Sequence, residues 1–168
     1  MVKTVIAAAG LIACGLRVGR ERRQPQCGSG KKRRAEAMIG YATVGTNDLD
    51  KARAFYDALL EEIGARRVMQ FEESGFTMYG TGSRSPGLAV TKPYNGQPAE
   101  VGNGHMVALA MDAREKVDRL HAKALELGGS DEGAPGVRGP EGDRAFYGAY
   151  FRDLDGNKLC AFCIGPGR

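Results

Sequence analysis

The feature that most constrains the fold is an internal repeat in the part of the chain after residue 37. Two segments each contain a short β-rich stretch, a helix with apolar residues at 3.6-residue spacing, and a closing glycine. The segments span 41–64 and 105–128, so Asp48 and Asp112 at the two helix starts are 64 residues apart. Matching landmarks at one offset predict two copies of one structural unit.

Local signals predict where the two helices begin and end. Asp48 and Asp112 stand at the helix starts, where a carboxylate accepts a hydrogen bond from a free backbone N–H. Asp112 with Glu115 also has the spacing of a capping box, with Asp in place of Ser or Thr. Gly64 and Gly128 are predicted to end the helices in the left-handed conformation.

Short β segments follow each helix, and they predict a β-α-β-β-β order in each unit. One helix covers one face of such a sheet, so the other face must curve over a partner or a ligand. We therefore predict an α+β fold in which two βαβββ repeats, 38–94 and 103–165, form a curved mixed sheet with a cleft. The predicted segments are 67–71, 76–80 and 88–91 in the first repeat, and 130–134, 146–151 and 159–164 in the second.

The positive charge is concentrated in residues 1–37. The whole chain has a formal charge of +4, but residues 1–37 hold nine Lys and Arg against two Glu, a charge of +7, which leaves −3 for 38–168. Residues 38–168 therefore lack the excess of basic side chains that is typical of a nucleic-acid-binding domain. No apolar run in the sequence is long enough to span a membrane. We predict that 1–37 is a basic, disordered and dispensable leader. An export or lipidation signal and a basic tether are the alternatives.

The cysteines and the segment "FRDLDGNKLCAFC" do not match a metal-binding motif. The spacing of the four cysteines does not match a disulfide framework, which predicts reduced thiols and a cytoplasmic protein. They are Cys14, Cys27, Cys160 and Cys163. The acids of residues 153–157 lack the glycine and acid positions of a calcium loop. Two cysteines three apart on a strand point to opposite faces. The segment therefore predicts a β-hairpin with a polar turn.

The repeat and its motifs resemble a known family. The segments "VGTNDLDKARAFYDALL", "GNGHMVALAM" and "FRDLDGNKLCAF" are similar to those of the vicinal oxygen chelate superfamily, which includes glyoxalase I, extradiol dioxygenases, fosfomycin-resistance transferases and bleomycin-binding proteins. The resemblance covers residues 38–165 and implies the glyoxalase/bleomycin resistance/dihydroxybiphenyl dioxygenase fold. Because this superfamily carries unrelated reactions on one scaffold, the resemblance implies the fold more specifically than the activity.

The resemblance also implies four positions for metal ligands. Metal-dependent members place one ligand on the first strand and one on the last strand of each unit, and leave positions open for two substrate oxygens. Carried over, these positions are Tyr41, Ala89, His105 and Cys160. Ala89 cannot bind a metal, and His105 with Cys160 is a poor donor set. We expect no metal cofactor; a divalent ion held by His105, Cys160 and Tyr41 is the alternative.

Strand alternation then predicts the lining of the cleft. If His105 faces the cleft, Val107 and Leu109 face it too, and Thr43 accompanies Tyr41. The hairpin places Tyr150 beside Cys160, while Cys163 faces away. Such a lining suits a flat or moderately apolar molecule. Other aromatic candidates are Phe76, Tyr79, Phe146 and Tyr147, and Arg138 and Arg144 fall in the Gly/Pro-rich segment 133–144, predicted as a surface loop, with a mobile lid as the alternative.

The sequence thus leaves two functions open. The first is a glyoxalase/bleomycin-resistance-like protein that binds a small molecule of unknown identity or acts on it as a lyase, with a degenerate metal site and His105 as the candidate acid/base. The second is a metal-dependent glyoxalase I-like lyase or dioxygenase that uses His105 with Tyr41 and Cys160. Either is expected to be a cytoplasmic homodimer, without a nucleic-acid or membrane partner.

Overall fold

The computed structural model describes residues 38–82 and 85–166. The predicted leader, residues 1–37, lies outside the described residues. The described chain contains two helices and eight strands in the order β1 (Tyr41–Gly45), α1 (Leu49–Glu61), β2 (Arg66–Phe71), β3 (Phe76–Gly80), β4 (Gly87–Thr91), β5 (Val107–Ala110), α2 (Arg114–Glu126), β6 (Ser130–Arg138), β7 (Phe146–Arg152) and β8 (Lys158–Ile164).

The strands form two four-stranded mixed sheets with the same topology. The first has the order β1-β4-β3-β2 and the second β5-β8-β7-β6. In each sheet the first and last strands of the unit pair in parallel, and the other pairs are antiparallel. The predicted fold of two βαβββ units is confirmed. Strand β6 extends to Arg138, so this residue ends a strand and does not lie in the predicted loop.

The two helices begin differently. At α1 the prediction is confirmed, because the side chain of Asp48 accepts a hydrogen bond from the backbone N–H of Lys51 at 3.2 Å. At α2 it is wrong: the N-cap is Ala113, which has no side chain able to cap the helix. Asp112 instead forms an ion pair with Lys116, at 2.8 Å. Gly64 and Gly128 have φ of 71° and 95°, as predicted for left-handed helix ends.

The true offset between the repeats is 65 residues over the first strand and the helix. Helix α1 starts at Leu49 and α2 starts at Arg114, which is 65 residues later. The same offset relates the donors of two equivalent hydrogen bonds, Thr46 N–H to Thr91 O and Met111 N–H to Phe162 O. The offset of 64 holds only at the terminal glycines. Because side chains alternate along a strand, a slip of one residue reverses the face assigned to each of them.

The hydrophobic core lies between the helices and the sheets. It includes Tyr56 and Leu59 of α1, Leu120 of α2, and Leu159 and Phe151 of the second sheet, all at most 1% exposed. Packing these side chains away from water is the main stabilising term for a domain of this kind. We call the opposite side of each sheet, which faces away from its helix, the open face.

The hairpin at residues 153–157 joins the two repeats. Its Asp155 carboxylate accepts hydrogen bonds from the Thr46 hydroxyl at 2.6 Å and from the Asn47 backbone N–H at 2.9 Å. Asn157 donates to the carbonyl of Gly45 at 2.8 Å. Buried Asp153 accepts a 2.6 Å hydrogen bond from the hydroxyl of Tyr56. The acids that suggest a metal loop in the sequence are therefore occupied in holding the second repeat against the start of α1.

Candidate functional site

The open face of the first sheet carries an aromatic cavity. The rings of Tyr41 on β1 and Phe76 on β3 meet edge to face with centroids 6.0 Å apart, and Phe71 on β2 lies 5.9 Å from Phe76. The cavity has a volume of about 920 Å³. Tyr41 and Phe71 are each 55% exposed, so the fold leaves a patch of apolar surface that its own core does not cover. Other lining residues include Met69, Met78 and Tyr94.

Strand alternation places these side chains on the open face. On β3, Phe76 and Met78 line the cavity. Thr77 and Tyr79, which alternate with them, are buried on the helix side. The hydroxyl of Tyr79 donates to the backbone carbonyl of Arg53 at 3.3 Å. Of the two aromatic candidates on this strand, Phe76 therefore belongs to the cavity and Tyr79 to the core.

A second, polar cavity of about 450 Å³ lies between β1 and the chain that leads into β5. It is lined by Thr43 of β1, by His105, and by Lys158 at the start of β8. His105 is exposed and its ring fills the space beside Gly102, where an added Cβ would meet Nδ1 at 1.8 Å. The glycine is thus required for the position of the imidazole.

The predicted facing of the second repeat's first strand differs in the structure. Strand β5 begins at Val107, and His105 precedes it after a turn in which Gly104 has φ of 86°. The alternation of side chains between the two faces of β5 therefore does not extend back to His105. Leu109 packs against the core, while Ala108 and Ala110 lie exposed on the open face. Val107 packs partly against the core and also borders the polar cavity.

Tyr150 and Cys160 are cross-strand partners on the second sheet, as the hairpin predicts. Cys160 is on the face opposite the core and has no exposed surface, whereas Cys163 belongs to the core cluster under α2 and is 5% exposed. Burial raises the pKa of the Cys160 thiol, although Tyr150, Arg138 and Lys158 act in the other direction. Both cysteines are free. Burial and a raised pKa make Cys160 a weak candidate for a nucleophile.

Comparison with known proteins identifies the family. The family model of the Glyoxalase/Bleomycin resistance protein/Dioxygenase superfamily matches residues 38–161. The chain belongs to this superfamily. A crystal structure of a glyoxalase/bleomycin resistance protein from Albidiferax ferrireducens T118 is 37% identical, with a TM-score of 0.66, and the match covers 76% of this chain and 99% of that one. None of the curated proteins compared with the chain matches it.

More distant superfamily structures share the fold alone. A glyoxalase-related enzyme from Fulvimarina pelagi is 20% identical with a TM-score of 0.54, over 74% of this chain and 86% of that chain. A glyoxalase/bleomycin resistance protein/dioxygenase family enzyme from Burkholderia phytofirmans PsJN is 18% identical with a TM-score of 0.54, over 76% and 99%. Of the helices within the described ranges, neither has the length and apolar character needed to cross a membrane.

The four superfamily positions for metal ligands do not hold a fitting donor set. Because the offset is 65, the equivalent of Tyr41 in the second repeat is Met106 rather than His105. Ala89 and Cys160 are equivalent to one another, since they pair with Thr43 and Ala108. A phenol, a thioether, a methyl group and a buried thiol do not make the three or four N, O or thiolate donors of a catalytic site. Among the described residues, no group of three or more His, Cys, Asp and Glu side chains is placed to hold a metal ion.

The structure distributes the sequence-predicted residues over several places. Tyr41 lines the aromatic cavity, whereas Thr43, Val107 and His105 line the polar one. Tyr150 and Cys160 line neither of these cavities, and Leu109 packs against the core. The sequence analysis missed Met69 and Phe71 of β2, a strand whose residues are all exposed. Their alternation with polar Gln70 is the signal that could have found them.

Proposed function

We propose that this protein binds a small, flat and largely apolar molecule at the open face of its first sheet, without a metal ion held by the superfamily's ligand positions. The observation that carries the proposal is the aromatic cavity, in which Tyr41, Phe71 and Phe76 leave ring surface exposed. Planar ligands stack on such rings and bury their apolar area without needing a charged partner. The poor donor set at Tyr41, Ala89, Met106 and Cys160 supports the same proposal.

The site chemistry favours binding over catalysis. His105 lies at the polar cavity, separate from the aromatic cavity. The hydrogen bonds and ion pairs of the described residues include none from its ring to a carboxylate that would orient it. A general base is usually oriented by such a partner and lies within hydrogen-bond reach of the reacting group. The exposed apolar surface is also compatible with the expected homodimer, which we retain as part of the proposal.

The proposal is tested by titrating the protein with the neutral fluorophore N-phenyl-1-naphthylamine. The chain has no tryptophan, so the probe can be excited without interference from the protein. We expect saturable binding that EDTA does not change. Removal of one stacked ring in Phe71→Ala should weaken binding about tenfold, since one ring contact contributes roughly 1 kcal/mol or more.

A matched control separates this effect from general loss of apolar surface. Leu125 lies on α2 and is 37% exposed, away from the lining of the aromatic cavity, so Leu125→Ala should bind the probe like the wild type. The melting temperature of each variant verifies folding. Equal affinity of Phe71→Ala and the wild type would disprove binding at this cavity. Loss of wild-type binding on treatment with EDTA would instead favour the metal-dependent alternative.

A further inference from the structure

The open face of the second sheet carries a group of cations around one tyrosine ring. The guanidinium carbon of Arg138 lies 5.5 Å from the centroid of Tyr150, and the ammonium nitrogen of Lys158 lies 5.6 Å from it. Arg138 ends β6, Tyr150 is on β7 and Lys158 begins β8. Three adjacent strands thus bring two positive charges to the ring of one residue. Lys158 also borders the polar cavity.

The guanidinium of Arg138 is restrained by its own strand. Its Nη2 donates to the carbonyl of Ala134 at 2.7 Å. The group lies against the backbone of β6, where an added Cβ at Gly136 would be 3.1 Å from Nη1 and one at Gly133 would be 3.5 Å from Nη2. Two glycines therefore leave the room that the planar group occupies. A guanidinium restrained in this way loses less side-chain entropy when it binds an anion.

The positive charges of the cations near Tyr150 are not balanced by an equal number of carboxylates. Glu132 accepts from Arg152 at 2.6 Å and from Lys158 at 3.2 Å, so one carboxylate is shared by two cations. Within the described residues, Arg138 has no ion pair with a carboxylate, in contrast to Arg152. Three cations and one carboxylate give this surface a net charge of +2 in a domain whose overall charge is negative.

From this geometry we propose that the open face of the second sheet is a binding site for a small molecule with a carboxylate group. The carboxylate accepts two parallel hydrogen bonds from Arg138, the geometry in which guanidinium and carboxylate pair most strongly. Lys158 adds a second positive charge beside Arg138. This site is separate from the aromatic cavity, and the proposal does not depend on the function proposed for that cavity.

The test compares two probes of matched shape, 1-naphthoate and the neutral 1-naphthalenemethanol, by titration calorimetry. Saturating N-phenyl-1-naphthylamine is present throughout, so that neither probe is measured at the aromatic cavity. The wild type should bind the naphthoate about tenfold or more tightly than the alcohol, as expected for a charge-assisted pair of hydrogen bonds. Arg138→Gln should reduce this ratio to near unity. Arg138→Lys should restore part of it, since the charge returns without the planar fork. Higher salt should also reduce the ratio.

The control is Arg119→Gln, which removes an exposed positive charge from α2, on the other side of the sheet, and should leave the ratio unchanged. Equal affinity of the wild type for the two probes, a ratio that survives in Arg138→Gln, or no binding of naphthoate would each overturn the proposal. None of these outcomes would change the binding of N-phenyl-1-naphthylamine at the aromatic cavity. The two proposals can therefore fail independently.

Discussion

At the scale of single residues, the two buried cysteines of β8 show how the strand separates neighbouring side chains. Cys160 is fully buried beside Tyr150, and Cys163 is 5% exposed in the core. Burial is the main cause of the raised pKa of both thiols, so the thiolate fraction at neutral pH is small for each. Neither residue is suited to rapid reaction with a soluble reagent.

We therefore expect both thiols to resist a thiol-labelling reagent in the folded protein and to react after unfolding. Peptide mapping by mass spectrometry should find no disulfide between Cys160 and Cys163, because side chains three apart on a strand diverge. Cys14 and Cys27, outside the described residues, need to be mapped separately. Rapid native labelling of Cys160, or a disulfide between Cys160 and Cys163, would show that β8 is wrongly described.

At the scale of secondary-structure elements, the hairpin at 153–157 is the main polar connection between the repeats. The Asp155 carboxylate accepts from the Thr46 hydroxyl and the Asn47 backbone N–H, at the entry to α1. Asp155→Ala removes these acceptors and leaves donors without a partner, which should lower the free energy of unfolding by about 1–2 kcal/mol.

Chemical denaturation of Asp155→Ala and of a control, Asp143→Ala, provides the measurement. Asp143 is exposed, and within the described residues its carboxylate has no hydrogen bond or ion pair, so its removal should leave the unfolding midpoint nearly unchanged. The Asp155 variant should lose several degrees in melting temperature. If both variants unfold alike, the hairpin does not stabilise the junction of the repeats.

Sequence patterns predict some elements well because their causes are local. The Asp48 cap and the glycine ends of the helices depend on residues within one turn, and both are as predicted. The partners of Asp155 are more than a hundred residues away in the sequence, so no local pattern reveals them. The equivalence of His105 with Tyr41 failed because the repeats were aligned on Asp48 with Asp112 and on their terminal glycines. The N-cap of α2 is Ala113, one residue later than Asp112. A single residue of slip was enough to misplace Leu109.

At the scale of the whole molecule, the dispensability of residues 1–37 stays a prediction. All the strands and helices of the two sheets lie between Tyr41 and Ile164. A shortened chain that begins at Met38 should therefore melt within about 2 °C of the full chain, since it keeps every core contact described above. A fall of more than about 5 °C would mean that residues 1–37 contribute to the stability of the domain.

The central claim is that the superfamily scaffold is retained here without its metal-ligand set. The most direct test is the divalent metal content of the protein, by elemental analysis after growth with added metal and dialysis without chelator. Cys14 and Cys27 are changed to Ser to remove the leader thiols as ligands. The account predicts well below one ion per chain, with no difference between this protein and its Cys160→Ser variant. About one ion per chain, lost in Cys160→Ser or Tyr41→Phe, would contradict it.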